Sequence, residues 1–87
     1  MTLDRILDAL DARRQRATYG AVGELLGRPA RSVLQGRPRT ARHSWIVRKA
    51  NGLPTGYNRH EQHPELEARP EILQSAAELR TWLERQG

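Results

Sequence analysis

His60, Glu61 and His63 stand in one short stretch, and Ser44 follows His43 directly. These are the residues from which a metal site or a nucleophile would first be built. A zinc site needs three or four ligands, and the metalloprotease pattern is His-Glu-x-x-His. His60-Glu61-Gln62-His63 supplies neither, and a solvated loop is its simpler reading. Neighbours on a strand point to opposite faces, so His43 is poorly placed to serve Ser44 as a base. There is no Cys, which removes thiolate nucleophiles, thiolate zinc sites and disulfides. No glycine-rich phosphate loop is present. These residues imply no enzyme, no metal and no cofactor.

What the residue types do support is contact with an anion. Between Arg28 and Arg59 lie eight basic residues, with no Asp or Glu among them. Such a block repels itself unless something negative lies alongside, and a phosphate backbone is the most available partner. Flanking it, Asp4, Asp8 and Asp11 stand against Arg5 alone, while the last 28 residues hold six Glu. The net charge of +5 therefore understates the basic face. The two acidic ends are expected to lie away from the ligand. A merely soluble basic surface is the plainer alternative, but segregated charge favours nucleic acid.

The elements that position these residues are mostly helical. Thr2 caps a helix that ends near Arg14, with Leu3, Ile6, Leu7 and Leu10 along one face. Thr18 caps a second, Tyr19 to Leu26, and Gly27 ends it. Pro29 starts a third, to about Gln35, anchored by Val33 and Leu34 and stopped by Gly36. Arg37 to Arg42 reads as an extended connector. Trp45 to Arg48 is the best strand candidate, Asn51-Gly52 suits a type I′ turn, and Leu53 to Tyr57 would return as an edge strand containing Pro54. Pro64-Glu65-Leu66 starts one short helical turn. Ser75-Ala76-Ala77-Glu78 is a capping box for a last helix to about Arg85, packing Leu79, Trp82 and Leu83.

Two short helices joined at a glycine, then a hairpin, make a winged helix-turn-helix: one domain, residues 1–87, mainly α with a small β-hairpin. Arg28, Arg31, Ser32 and Gln35 would face a DNA groove, and Arg37, Arg39, Arg42, Arg48 and Lys49 the phosphates. With no Phe in the chain, Trp45 is equally suited to be the largest core side chain. Tyr19 and Tyr57 suit partial burial with a hydroxyl at the rim. No apolar run approaches the roughly 20 residues that span a membrane. The acidic start has no signal-peptide shape, so a cytoplasmic protein is expected; its Arg-heavy, Lys-poor composition points to a bacterial one, and DNA binding would make it nucleoid-associated.

The stretch from Thr18 to Tyr57 resembles the DNA-binding domain of the O6-alkylguanine-DNA alkyltransferases and the alkyltransferase-like proteins. Thr18-Tyr19-Gly20 is similar to that family's "TYG", whose Tyr contacts a phosphate beside the flipped base. Leu26 to Val33 resembles "LAG-x-P-x-A-A-R-A-V" with two residues missing, which puts Arg31 on the Arg that replaces the extruded base. Trp45-Ile46-Val47 through Gly52 and Tyr57 resembles "PCHRVV…G…Y". The Pro-Cys-His-Arg itself is absent. An ungapped count from Gly52 sets Ser44 on the reactive Cys, and a one-residue gap sets Trp45 there, as in alkyltransferase-like proteins. The resemblance implies a DNA repair role without alkyl transfer: Tyr19 clamps a phosphate, Arg31 fills the stack, and Ser44, Trp45 and Tyr57 line a base pocket. A sequence-specific winged-helix regulator and a protein-interaction module docking an acidic partner remain open beside it.

Overall fold

The computed structural model describes residues 1–86. Three α-helices surround a small parallel sheet, so the chain is mainly α. Helix α1 runs Leu3–Arg13, with the Thr2 hydroxyl accepting the Arg5 N–H at 3.3 Å. Its apolar face buries Leu3, Ile6, Leu7 and Leu10. Arg14 closes it in the left-handed region at φ 58° and donates its N–H to the Leu10 carbonyl. Helix α2 runs Tyr19–Leu26, capped by the Thr18 hydroxyl, which accepts the Ala21 N–H at 3.0 Å. Gly27 ends α2 at φ 72°, and the Arg28 N–H reaches back to the Gly23 carbonyl at 2.8 Å, a Schellman closure. Helix α3 runs Ala76–Gln86. The Ser75 hydroxyl accepts the Glu78 N–H at its start.

The sheet departs from expectation. Strand β1 is Arg16–Thr18, β2 is Ile46–Val47 and β3 is Ile72–Leu73. They lie in the order β2-β1-β3, with both pairs parallel. Ala17 is the centre, opposite Ile46 on one side and Leu73 on the other. All three β1 residues are buried, as in a strand covered on both faces.

The hairpin expected over 44–57 is therefore not formed. Its first strand pairs with β1, and Leu53 to Tyr57 does not return as a strand. A type I′ turn needs positive φ at both central residues. Gly52 has φ 70°, but among the described residues Arg14 alone of the non-glycines is positive, so Asn51 is not. The loop closes instead through Gly52 N–H to Arg48 O and Arg48 N–H to Leu53 O. The expected helix from Pro29 to Gln35 also shrinks, to a single 3-10 turn at Ala30–Ser32 followed by irregular turns. The left-handed glycines Gly27 and Gly36 bound that segment at its two ends.

One core joins these elements. Leu3, Ile6, Leu7 and Leu10 of α1 meet Ala17, Ala21, Val22, Val33, Trp45, Ile46, Leu66 and Leu79. Trp82 and Leu83 of α3 pack at its margin, half-buried. Gly23 lets the turn after α2 fold back closely, because a Cβ there would lie 2.7 Å from the Arg28 carbonyl oxygen. The Gly23→Ala variant should therefore lose about 1–3 kcal/mol of stability by urea titration, despite alanine's better helix propensity.

Candidate nucleic-acid interface

The start of α2, the segment 30–39 and the loop 55–61 enclose a cleft of about 880 Å³. Tyr19 and Tyr57 supply its aromatic groups, Arg31, Arg37 and Arg39 its cations, and Glu61 its carboxylate. Gln35 stands beside them on the same wall. The Tyr19 hydroxyl accepts the Thr55 N–H at 3.1 Å, which ties α2 to the far loop. Burial pushes the Tyr57 phenol up to about 12, with the Tyr19 phenol and Glu61 adding to the shift and Arg39 opposing it. Tyr57 thus keeps its proton at neutral pH and remains a donor. Gly56, at φ 75°, lets the Arg39 guanidinium lie over bare backbone, since a Cβ there would sit 3.3 Å from its Nη2. These contacts place six residues singled out from sequence, Tyr19, Arg31, Gln35, Arg37, Arg39 and Tyr57, around one space.

Two of the expected phosphate contacts are already engaged. The Arg37 Nη1 lies 2.8 Å from Asp4 Oδ1, and the Arg42 Nη2 lies 2.6 Å from Asp8 Oδ1. Arg42 Nη1 also reaches Asp4 at 3.4 Å. The Arg37 hydrogen bond is the largest cause holding the Asp4 carboxyl below its usual range. The hydrogen bond that Arg42 donates to Asp8 is the largest cause raising Arg42 in turn. The expectation that the acidic N-terminal block lies away from the basic face is corrected here: α1 packs beside the Ala41–Trp45 turn, and its outer face offers carboxylates to Arg37 and Arg42. Exposed pairs of this kind are weak and screened by salt, so phosphate can compete for the same guanidiniums.

The remaining cations stand outside the cleft. Arg28 is exposed at the end of α2, and Arg48 and Lys49 are exposed on the loop after β2. Ser32 turns inward on its own backbone, donating its hydroxyl to the Pro29 carbonyl at 2.9 Å. Among the described residues, Arg28, Arg31, Arg39, Arg48 and Lys49 form no ion pair.

Ser44 and Trp45 lie apart from Tyr57. They are fully buried on the 3-10 turn Ala41–Trp45, and neither lines the cleft. Ser44 donates its hydroxyl to the Ala41 carbonyl and accepts the His63 N–H at 2.9 Å, so that oxygen knits two loops together. The Trp45 indole donates to Asp11 Oδ1 at 2.9 Å, and its ring stacks against His63 with centroids 4.7 Å apart. His63 is thereby half-buried packing, whereas His60 is exposed. Of the three expected base-pocket residues, Tyr57 alone lines the cleft.

His43 is buried beside Ser44. Its Nδ1 lies 2.7 Å from the Thr40 hydroxyl, and its Nε2 is buried without a partner. Burial lowers its pKa, helped by Arg42 and Arg37 and opposed by Asp4. A histidine depressed in the folded state lets the unfolded chain bind the extra proton. Stability should therefore hold above the ordinary value of 6.5 and fall as pH drops below it. The His43→Gln variant should flatten that limb of the thermal-midpoint-against-pH curve.

Three residues that matter to this arrangement carry no sequence signal. Arg16 is buried and donates to the Gly52 carbonyl at 3.0 Å and the Arg69 carbonyl at 2.9 Å. Gln15 donates to the Glu71 carbonyl at 2.8 Å. Both latch the loop before β3 onto β1, and both look like ordinary surface residues in sequence. Glu61 enters the cleft only because the loop after Tyr57 folds back. Among the described residues no cluster of His, Asp or Glu could hold a metal ion. No described helix is long and apolar enough to cross a membrane. In comparison with known proteins, the chain matches no family model, no curated protein and no solved structure.

Proposed function

We propose that this protein binds double-stranded DNA without catalysis, in the manner of the alkyltransferase-like proteins it resembles, and senses alkylated or extruded bases. The observation that carries this reading is the cleft, where two tyrosines and three arginines surround a space large enough for a nucleotide. An extruded base calls for a phosphate clamp, a side chain to fill the stack and aromatic walls. Tyr19, Arg31 and Tyr57 supply the three in turn. The winged helix-turn-helix belongs to the same proposal: α2 and the Pro29–Gln35 segment act as the reading pair, and the Arg48–Leu53 loop takes the place of a wing.

A gel shift of plain duplex against duplex carrying O6-methylguanine tests it. A clear preference for the lesion is the expected result; equal binding leaves a general DNA binder. The Arg31→Ala change should cost about 1–3 kcal/mol of specific binding, while Lys49→Ala should weaken all duplexes alike and reduce the salt slope by about 1. Equal small losses would make Arg31 a phosphate contact only.

One observation favours a second reading. The basic face already holds carboxylates, those of Asp4 and Asp8. An acidic protein partner could use the same guanidiniums. Pull-down that survives nuclease, with no duplex shift, would favour that partner.

A further inference from the structure

Glu61 is the one carboxylate lining the cleft, set among guanidiniums and phenols. It ends the 3-10 turn Arg59–Glu61, and its Oε1 accepts the Asn58 N–H at 2.7 Å. That bond fixes the side chain in place. A carboxylate accepts at both oxygens, and among the described residues Oε2 has no hydrogen-bond partner. Its negative charge also bears on the neighbouring Tyr57 phenol, which places it at the same wall.

A surface made only for phosphate has no use for a carboxylate, because like charges repel. A fixed acceptor beside two tyrosines suits a hydrogen-bond donor instead. The donors a nucleic acid brings are the amino groups and ring N–H groups of its bases. With one oxygen already engaged, a single donor fits best.

We propose that Glu61 is the specificity-determining residue of this cleft, accepting a hydrogen bond from the exocyclic amino group of one extruded base. Arg39 holds a flanking phosphate, Arg31 fills the stack, and Tyr57 presents its protonated hydroxyl to the base. This inference rests on the DNA-binding reading above. O6-methylguanine retains the guanine 2-amino group, so the two are compatible.

The test compares two duplexes that differ by one amino group. Guanine or hypoxanthine is placed opposite an abasic site, so that neither base is held by a pairing partner. The wild-type protein should bind the guanine duplex about tenfold more tightly, because a site built around a hydrogen bond rejects the analogue that lacks it. The Glu61→Gln variant is the control. Its amide oxygen can still accept the Asn58 N–H, so the turn is retained. Its preference should fall to about twofold or less. Equal binding of the two duplexes by wild type, or an unchanged preference in the variant, overturns the role of Glu61 while leaving DNA binding intact. Failure of the wild type to bind any duplex overturns the underlying reading itself.

Discussion

Raising monovalent salt from about 50 to about 200 mM is expected to weaken duplex binding about 500-fold. The figure counts the cations among the expected DNA contacts that the fold leaves unpaired. Arg28, Arg31, Arg39, Arg48 and Lys49 form no ion pair among the described residues. Five neutralised phosphates give a slope of log K against log salt of about −4.5. Arg37 and Arg42 sit apart in this count, because Asp4 and Asp8 already occupy them. Should phosphate displace those carboxylates, the slope steepens to about −6.3. Titration across several salt concentrations separates these cases. A slope near zero would remove the DNA reading altogether and leave the acidic face of α1 as the main partner of these arginines.

The Trp45→Ala change should remove a large part of the domain's stability. Trp45 is fully buried and is the largest fully buried side chain of the core. Truncating a buried Trp costs about 3–5 kcal/mol. A domain of this size has a total stability of about 4–13 kcal/mol at the usual value per residue. The loss also leaves Asp11 without the indole donor it holds at 2.9 Å and His63 without the ring it stacks against. Trp45→Phe keeps most of the packing and loses the hydrogen bond, so it should cost about 1–3 kcal/mol and leave duplex binding unchanged below its melting temperature. Thermal and urea denaturation read both variants. A well-folded Trp45→Ala protein with impaired duplex binding would instead make Trp45 the wall of a binding pocket.

Trp45 also illustrates how a residue's chemistry can be plain in sequence while its role is not. Its position in a motif resembling an alkyltransferase active site suggests a pocket residue. Its burial follows from the parallel pairing of Ile46–Val47 with β1, which draws the preceding turn into the interior. Nothing local announces that pairing. Arg16-Ala17-Thr18 has no apolar run, and strands of two or three residues are too short to show a period. The helices differ in this respect. Thr2, Thr18 and Ser75 each supply the capping oxygen that sequence suggests, and Gly27 takes the left-handed conformation expected of it. Caps and helical periodicity are satisfied within a few residues, so they can be read from the chain directly.

The amino-acid sequence by itself determined the three helices, the basic character of the Arg28–Arg59 stretch and the absence of any thiol. The tertiary structure alone decided which side chains meet. It turned an expected hairpin into a parallel sheet, sent Ser44 and Trp45 into the core, joined Arg37 and Arg42 to α1, and brought Glu61 into the cleft. The physical reason is the range of the interactions. Helix caps and charge content are local properties. Parallel pairing and the closing of a cleft between residues 19 and 61 depend on contacts between distant segments, which form only when the whole chain buries one shared core.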